Sequence, residues 1–178
     1  MTDSIRELKI RAELLHRRVR AQDTGALARL RVLPELRRAI GPQLVSIAAT
    51  LQRRHCLAVI AAELGFRGWP EARRVLTGEG AVADFGDLLC PRRCGAHVNL
   101  WYARYEEAAA VRAERGGYLL AYRRQYLVVD RYYVETLGLD PDDPDWSRLG
   151  FDWVRPRDPA ARVRLYARLV RGLPRQAA

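Results

Sequence analysis

Two thiols and an imidazole fall within eight residues at Cys90-Pro91-Arg92-Arg93-Cys94-Gly95-Ala96-His97. Zinc takes four nitrogen or sulfur ligands in a tetrahedron. Cys90, Cys94 and His97 offer three, and His55, or Cys56 beside it, offers a fourth across the chain. Three residues between the cysteines is a rarer spacing than the two of most thiolate pairs. The same stretch also suits thiol chemistry, with Cys94 and His97 as the candidate catalytic pair. Cys94 is expected just ahead of a helix and beside Arg92 and Arg93, and a helix N-terminus and nearby cations both favour a thiolate. Against these stands a structural reading, a buried free cysteine and a capping histidine, which cysteine's usual behaviour as a small hydrophobe favours.

Three further groups carry possible chemistry. Residues 50–77 read as helix, tight turn, helix, and the second helix offers Glu71, Arg73 and Arg74. DNA-reading versions of this motif aim such side chains at base edges. Phe66 and Trp69 look instead like wedges holding the corner, so a structural helical hairpin is the competing account. From Tyr118 to Tyr126, tyrosine and arginine mix on a strand-like stretch. There Tyr122, Arg123 and Arg124 could stack bases and pair phosphates, or simply form the wet side of a half-buried hairpin. Asp140, Asp142, Asp143 and Asp145 resemble a calcium loop only superficially. Two prolines interrupt them and the distal glutamate is absent, so caps and turns explain them better. No glycine-rich phosphate loop, nucleophile elbow or HExxH is present. His16 reads as a helix-surface residue.

The elements that must position these groups follow from periodicity and caps. Ile5, Leu8, Ala12, Leu15 and Val19 recur at spacings of three and four, giving an amphipathic helix over 4–21. A membrane-surface role for its basic polar face is disfavoured by the lack of bulky aromatics. Asp23 caps a short helix to Leu30, and another short piece from Leu33 is expected to end at Gly41-Pro42. An apolar helix follows over 43–64, interrupted near Thr50. Gly65 and Pro70 frame the tight corner. Gly78-Glu79-Gly80 is the boundary candidate, and 81–89 is an irregular docking segment carrying Phe85. A central helix is expected over 96–115, then a strand or hairpin turning near Arg123-Arg124. Short helices capped by Asp130, by the Asp143-Pro144 turn and by Asp158 complete the chain. Trp69, Trp101, Trp146 and Trp153 are expected to anchor the packing.

The stretch from His55 to Pro70, with Leu64-Gly65-Phe66, two residues and Trp69, resembles a small helical module common in bacterial proteins. That module occurs ahead of ankyrin repeats and in some proteins assigned to the glyoxalase superfamily. The likeness covers about the first 77 residues and implies a helical fold without implying an activity. No ankyrin repeat follows, and no glyoxalase metal pattern is apparent.

The chain is therefore expected to be α+β and mostly α. A helical module over 1–79 with a helix-turn-helix-like corner precedes a mixed part over 80–178, built from a central helix, a small hairpin and short capped helices. Its 178 residues carry a formal charge of +10, nearly all from arginine. A basic protein attracts nucleic acid and acidic proteins, and salt screens that attraction. The arginines form no single block, and genome composition alone can raise their number. No apolar run reaches the roughly 18 residues that span a bilayer. No signal-like segment is visible, and three cysteines suit a reducing compartment. The expectation is a cytoplasmic binding or accessory protein with an acidic partner such as nucleic acid. The alternative is a thiol- or metal-dependent enzyme or sensor centred on Cys94 and His97.

Overall fold

The computed structural model describes residues 2–79 and 84–174, so Gly80 of the expected boundary and the start of the docking segment lie outside the described residues. The fold is α+β and mostly α, with nine α-helices among the described residues and one three-stranded antiparallel sheet.

The first half is helical. Helix α1 (Asp3–Arg20) buries Ile5, Leu8, Ala12, Leu15 and Val19, the stripe its periodicity requires. Helix α2 (Thr24–Arg29) is capped by Asp23, whose carboxylate accepts from the Ala26 amide at 2.7 Å. Helix α3 spans Gly41–Thr50 and α4 spans Arg53–Glu63. Gly41-Pro42 thus starts a helix rather than ending one. Proline's fixed φ suits a first turn, where its missing N–H is no loss. The interruption falls at Leu51-Gln52, where His16 of α1 donates through Nε2 to the Leu51 carbonyl at 2.9 Å. His16 is therefore half-buried and ties two segments together, rather than resting on the helix surface.

Helix α5 (Trp69–Thr77) follows the expected corner and buries Ala72, Val75 and Leu76. Gly65 turns with φ +80°, and a side chain there would run into Asp87, whose backbone N lies 2.6 Å from the position a Cβ would take. The Asp87 amide donates to the Leu64 carbonyl at 2.9 Å. The corner is thus closed by a residue from the second half.

In that half, β1 (Leu100–Tyr102) precedes α6 (Tyr105–Arg115). The expected central helix over 96–115 is accordingly shorter, starting only at Tyr105, because Leu100–Tyr102 pair with the sheet instead. Strands β2 (Tyr118–Tyr122) and β3 (Gln125–Val129) form the hairpin, and the sheet order is β1-β3-β2. Helices α7 (Arg131–Leu137), α8 (Pro144–Leu149) and α9 (Pro159–Gly172) are each capped by an aspartate, respectively Asp130, Asp143 and Asp158.

One apolar core runs from Ile5 through Leu44 and Val75 to Trp146, Trp153 and Val170, and so joins both halves. The seam is also polar. Arg11 of α1 donates to the carbonyls of Val170, Leu173 and Pro174 at 3.0–3.3 Å, closing the end of α9. Between α8 and α9, the fully buried Asp145 receives Arg148, Arg164 and Arg168 at 2.6–3.0 Å. Of the other aspartates weighed as a calcium loop, Asp143 caps α8 and pairs with Arg168, Asp142 pairs with Arg131, and Asp140 accepts from the Asp142 amide in the turn. No helix among the described residues is long and apolar enough to cross a membrane.

Candidate nucleic-acid interface

Register decides which side chains share a face of the sheet. Trp101 lies opposite Leu127, Leu127 opposite Leu120, and Gln125 opposite Tyr122. Successive side chains of a strand point to opposite faces. Trp101, Leu120, Tyr122, Gln125 and Leu127 therefore share one face. Its inner part, Leu120, Leu127 and Val129, enters the main core. The other face, with Leu119 and Val128, is covered by Ala108 and Tyr105 of α6.

Trp101 sits at the outer end of the first face, where Tyr122 is half-buried against the edge of the main core. The Trp101 side chain is 44% exposed. Its ring meets Tyr122 edge-on, with centroids 5.9 Å apart and planes at 86°. Trp146 and Trp153 are fully buried and Trp69 is partly buried, so Trp101 departs from its expected place in the core. Three residues on an edge strand leave no layer to cover it. Val98 and Leu100 beside it are exposed as well.

The hairpin turn brings arginine to this rim. Arg123 occupies the turn with φ +53°, a region that costs non-glycine residues of order 1 kcal/mol or more. Its guanidinium lies over the Tyr122 ring, 5.5 Å from the centroid. It also grips both carboxylate oxygens of Asp87, at 2.7 and 3.0 Å. Arg123 is therefore a positioning arginine rather than a free phosphate clamp, and the hydrogen bonds to Asp87 raise the ionisation of its guanidinium above the ordinary arginine value. Arg124 and Gln125 are exposed next to it. Tyr118, at the far end of the strand, is buried, and its hydroxyl donates to the Pro141 carbonyl at 2.9 Å.

The Cys90–His97 segment is organised around α7. Arg93 donates to the carbonyls of Thr136 and Leu137 at 2.8 and 2.7 Å, which caps the C-terminus of that helix. Helix C-termini leave such carbonyls without intrahelical partners. His97 Nε2 lies 2.9 Å from the Thr136 hydroxyl, and its ring packs edge-on against Tyr133. The Tyr133 hydroxyl donates to the Leu89 carbonyl at 2.8 Å, and burial, followed by its contacts with Cys90 and Cys94, pushes its ionisation far above the phenol range. Cys94 lies in a 3-10 turn (Arg92–Cys94), not at the start of the central helix, and is 1% exposed. Burial raises its thiol above the ordinary value, with Arg93 only partly offsetting this, the reverse of the expected thiolate activation. His55 is engaged locally at the start of α4, where Nδ1 accepts from the Gln52 amide at 3.0 Å. Among the described residues, no three His, Cys, Asp or Glu side chains form a group that could hold a metal ion.

Helix α5 packs its apolar face inward, and its arginines point to solvent. Arg73 sits 3.7 Å from Glu79, while Arg74 is exposed and near enough to Glu71 to help lower its carboxyl. Glu71 turns back to Arg67 at 2.6 Å. No family model, curated protein or solved structure matches the chain.

Proposed function

We propose that the chain is a binding protein for an acidic partner, single-stranded nucleic acid being the natural case, engaged at the sheet rim. Trp101 and Tyr122 supply aromatic surface for bases, and Arg124 supplies a cation for the backbone. The observation that carries this reading is the half-exposed Trp101 ring held edge-on by Tyr122, with the exposed Arg124 two residues along from Tyr122 in the hairpin turn. Base–aromatic stacking is worth about 1–3 kcal/mol per base and tolerates any sequence. The net charge of +10 adds long-range attraction,. A reducing, cytoplasmic setting belongs to this reading and suits three cysteines that are all free thiols. The thiol-centred alternative draws less support, since burial works against a Cys94 thiolate.

Fluorescence anisotropy with a labelled single-stranded oligonucleotide tests the proposal. Trp101→Ala should weaken binding by roughly 5- to 150-fold at fixed salt, the range that the loss of one stacked base implies. Arg124→Ala should also lower the slope of affinity against salt. Wild-type affinity in the Trp101→Ala protein sinks the reading and leaves charge alone as the source of any binding.

A further inference from the structure

We infer that the chain carries a second binding site, an apolar cleft between α1, α4 and the end of α9 that takes an uncharged, apolar small molecule. The cleft measures about 470 Å³, within the roughly 300–1,000 Å³ of small-molecule sites. Leu8, Leu15, Ile60 and Leu64 line it from α1 and the α4 end. Ile10 and Leu14, one turn apart on α1, also line it and remain 49% and 46% exposed. Leu173 and Pro174 close it from the α9 side.

The charges on its rim decide the class of ligand. Arg11 pairs with Glu7 at 2.9 Å and holds three carbonyls of the α9 end. Arg29 grips both oxygens of Glu63 at 2.8 and 2.7 Å. Arg18 pairs with Asp23 at 3.0 Å. Each rim arginine already has a carboxylate or carbonyl partner, so a carboxylate or phosphate ligand would have to share its arginine with that resident group, whereas an uncharged apolar ligand matches the leucine and isoleucine lining and leaves every pair intact. The cleft is also too small for a macromolecular interface, which takes roughly 20–30 residues a side. It lies on the helical layer and shares no residue with the sheet rim.

Titration with Nile red, an uncharged apolar dye, tests the assignment on the full chain. Binding should saturate at one dye per chain and should not change between 0.1 and 0.5 M salt. Leu14→Glu and Ile10→Glu should each weaken it at least tenfold. Val98→Glu and Trp101→Ala, which alter exposed apolar groups elsewhere, should leave it unchanged. Dodecanol should compete better than dodecanoate. Non-saturable uptake, equal loss in the Val98→Glu protein, or tighter, salt-sensitive competition by dodecanoate overturns the proposal. Thermal melts establish that the cleft variants fold. Should both unfold, hydrogen exchange in the wild-type protein decides, because bound dye must slow exchange in α1 and at the end of α9, and unchanged exchange there overturns the site.

Discussion

Arg123 and Asp87 form a two-pronged ion pair, 2.7 and 3.0 Å, that ties the hairpin turn to the segment closing the α4–α5 corner. The backbone joins them too. The Arg123 amide donates to the Gly86 carbonyl, and the Phe85 amide donates to the Arg123 carbonyl, both at 2.9 Å. The turn therefore keeps an arginine at positive φ because its side chain and backbone are both committed.

That arrangement separates two replacements. Arg123→Ala loses the ion pair and keeps the backbone strain. Arg123→Gly loses the same ion pair and relieves the strain. The glycine variant should be more stable than the alanine variant by about 1 kcal/mol in urea unfolding. Equal midpoints for the two variants would show that φ +53° is not strained in this turn.

Asp145 makes stability depend on acid. Its carboxyl is held well below the usual aspartate range, first by hydrogen bonds from Arg164 and then by Arg168 and Arg148. A depressed folded-state value contributes stability that is present above the unfolded value, near 3.9, and is lost as pH falls toward the folded value. Melting temperature should thus drop more steeply below about pH 4 in the wild type than in Asp145→Asn. At neutral pH, Asp145→Ala should cost about 2 kcal/mol. This is less than for a sealed ion pair, because the three arginine side chains are 38–56% exposed and can turn to water. Identical acid limbs in wild type and variant would remove Asp145 as the cause.

The three thiols should differ sharply in reactivity. Cys56 is fully buried, and burial pushes its thiol up to about 11. Cys94 is buried and shifted in the same direction, while Cys90 is only half-buried. Alkylation follows the accessible thiolate. Iodoacetamide at pH 8 should therefore label Cys90 alone in the native protein and all three cysteines in urea, read by peptide mass spectrometry. Native labelling of Cys94 ahead of Cys90 would restore the case for a reactive thiol.

Exposure of Trp101 has its own optical signature. Iodide should quench a distinct fraction of the tryptophan emission, and Trp101→Phe should abolish most of that fraction, because Trp146 and Trp153 are fully buried. Unchanged quenching in the variant would place the accessible emission on Trp69 instead.

The helices were legible where a local signal sets them. Asp23, Asp130 and Asp158 announce helix starts, and each accepts the expected amide. Strand β1 was not legible. Val98, Trp101 and Tyr105 recur at helical spacing, and only pairing with Tyr126–Val128, some 25 residues away in sequence, makes an extended conformation win. The same pairing strands Trp101 at the rim, so a residue type usually given to the core became part of the candidate site. Tyr122 and Arg124 of that site are visible from the mix of tyrosine and arginine on the strand-like stretch Tyr118–Tyr126. The residue types of the Cys90–His97 cluster stand out in the sequence, but its partners, Thr136 and Leu137, lie about 40 residues downstream. Sequence spacing carries no trace of that docking.

The grip of Arg11 on the last turn of α9 also bears on the order of events at the ribosome. Between 159 and 163 residues separate Arg11 from the carbonyls it holds. At synthesis rates of roughly 5–20 residues per second, some 8–30 s pass between the emergence of one and of the other. Helix α1, made well before α9, is thus among the last of these helices to be finished. During that interval α1 has α4 to cover part of its stripe, while the side that meets α9 faces water and any chaperone within reach.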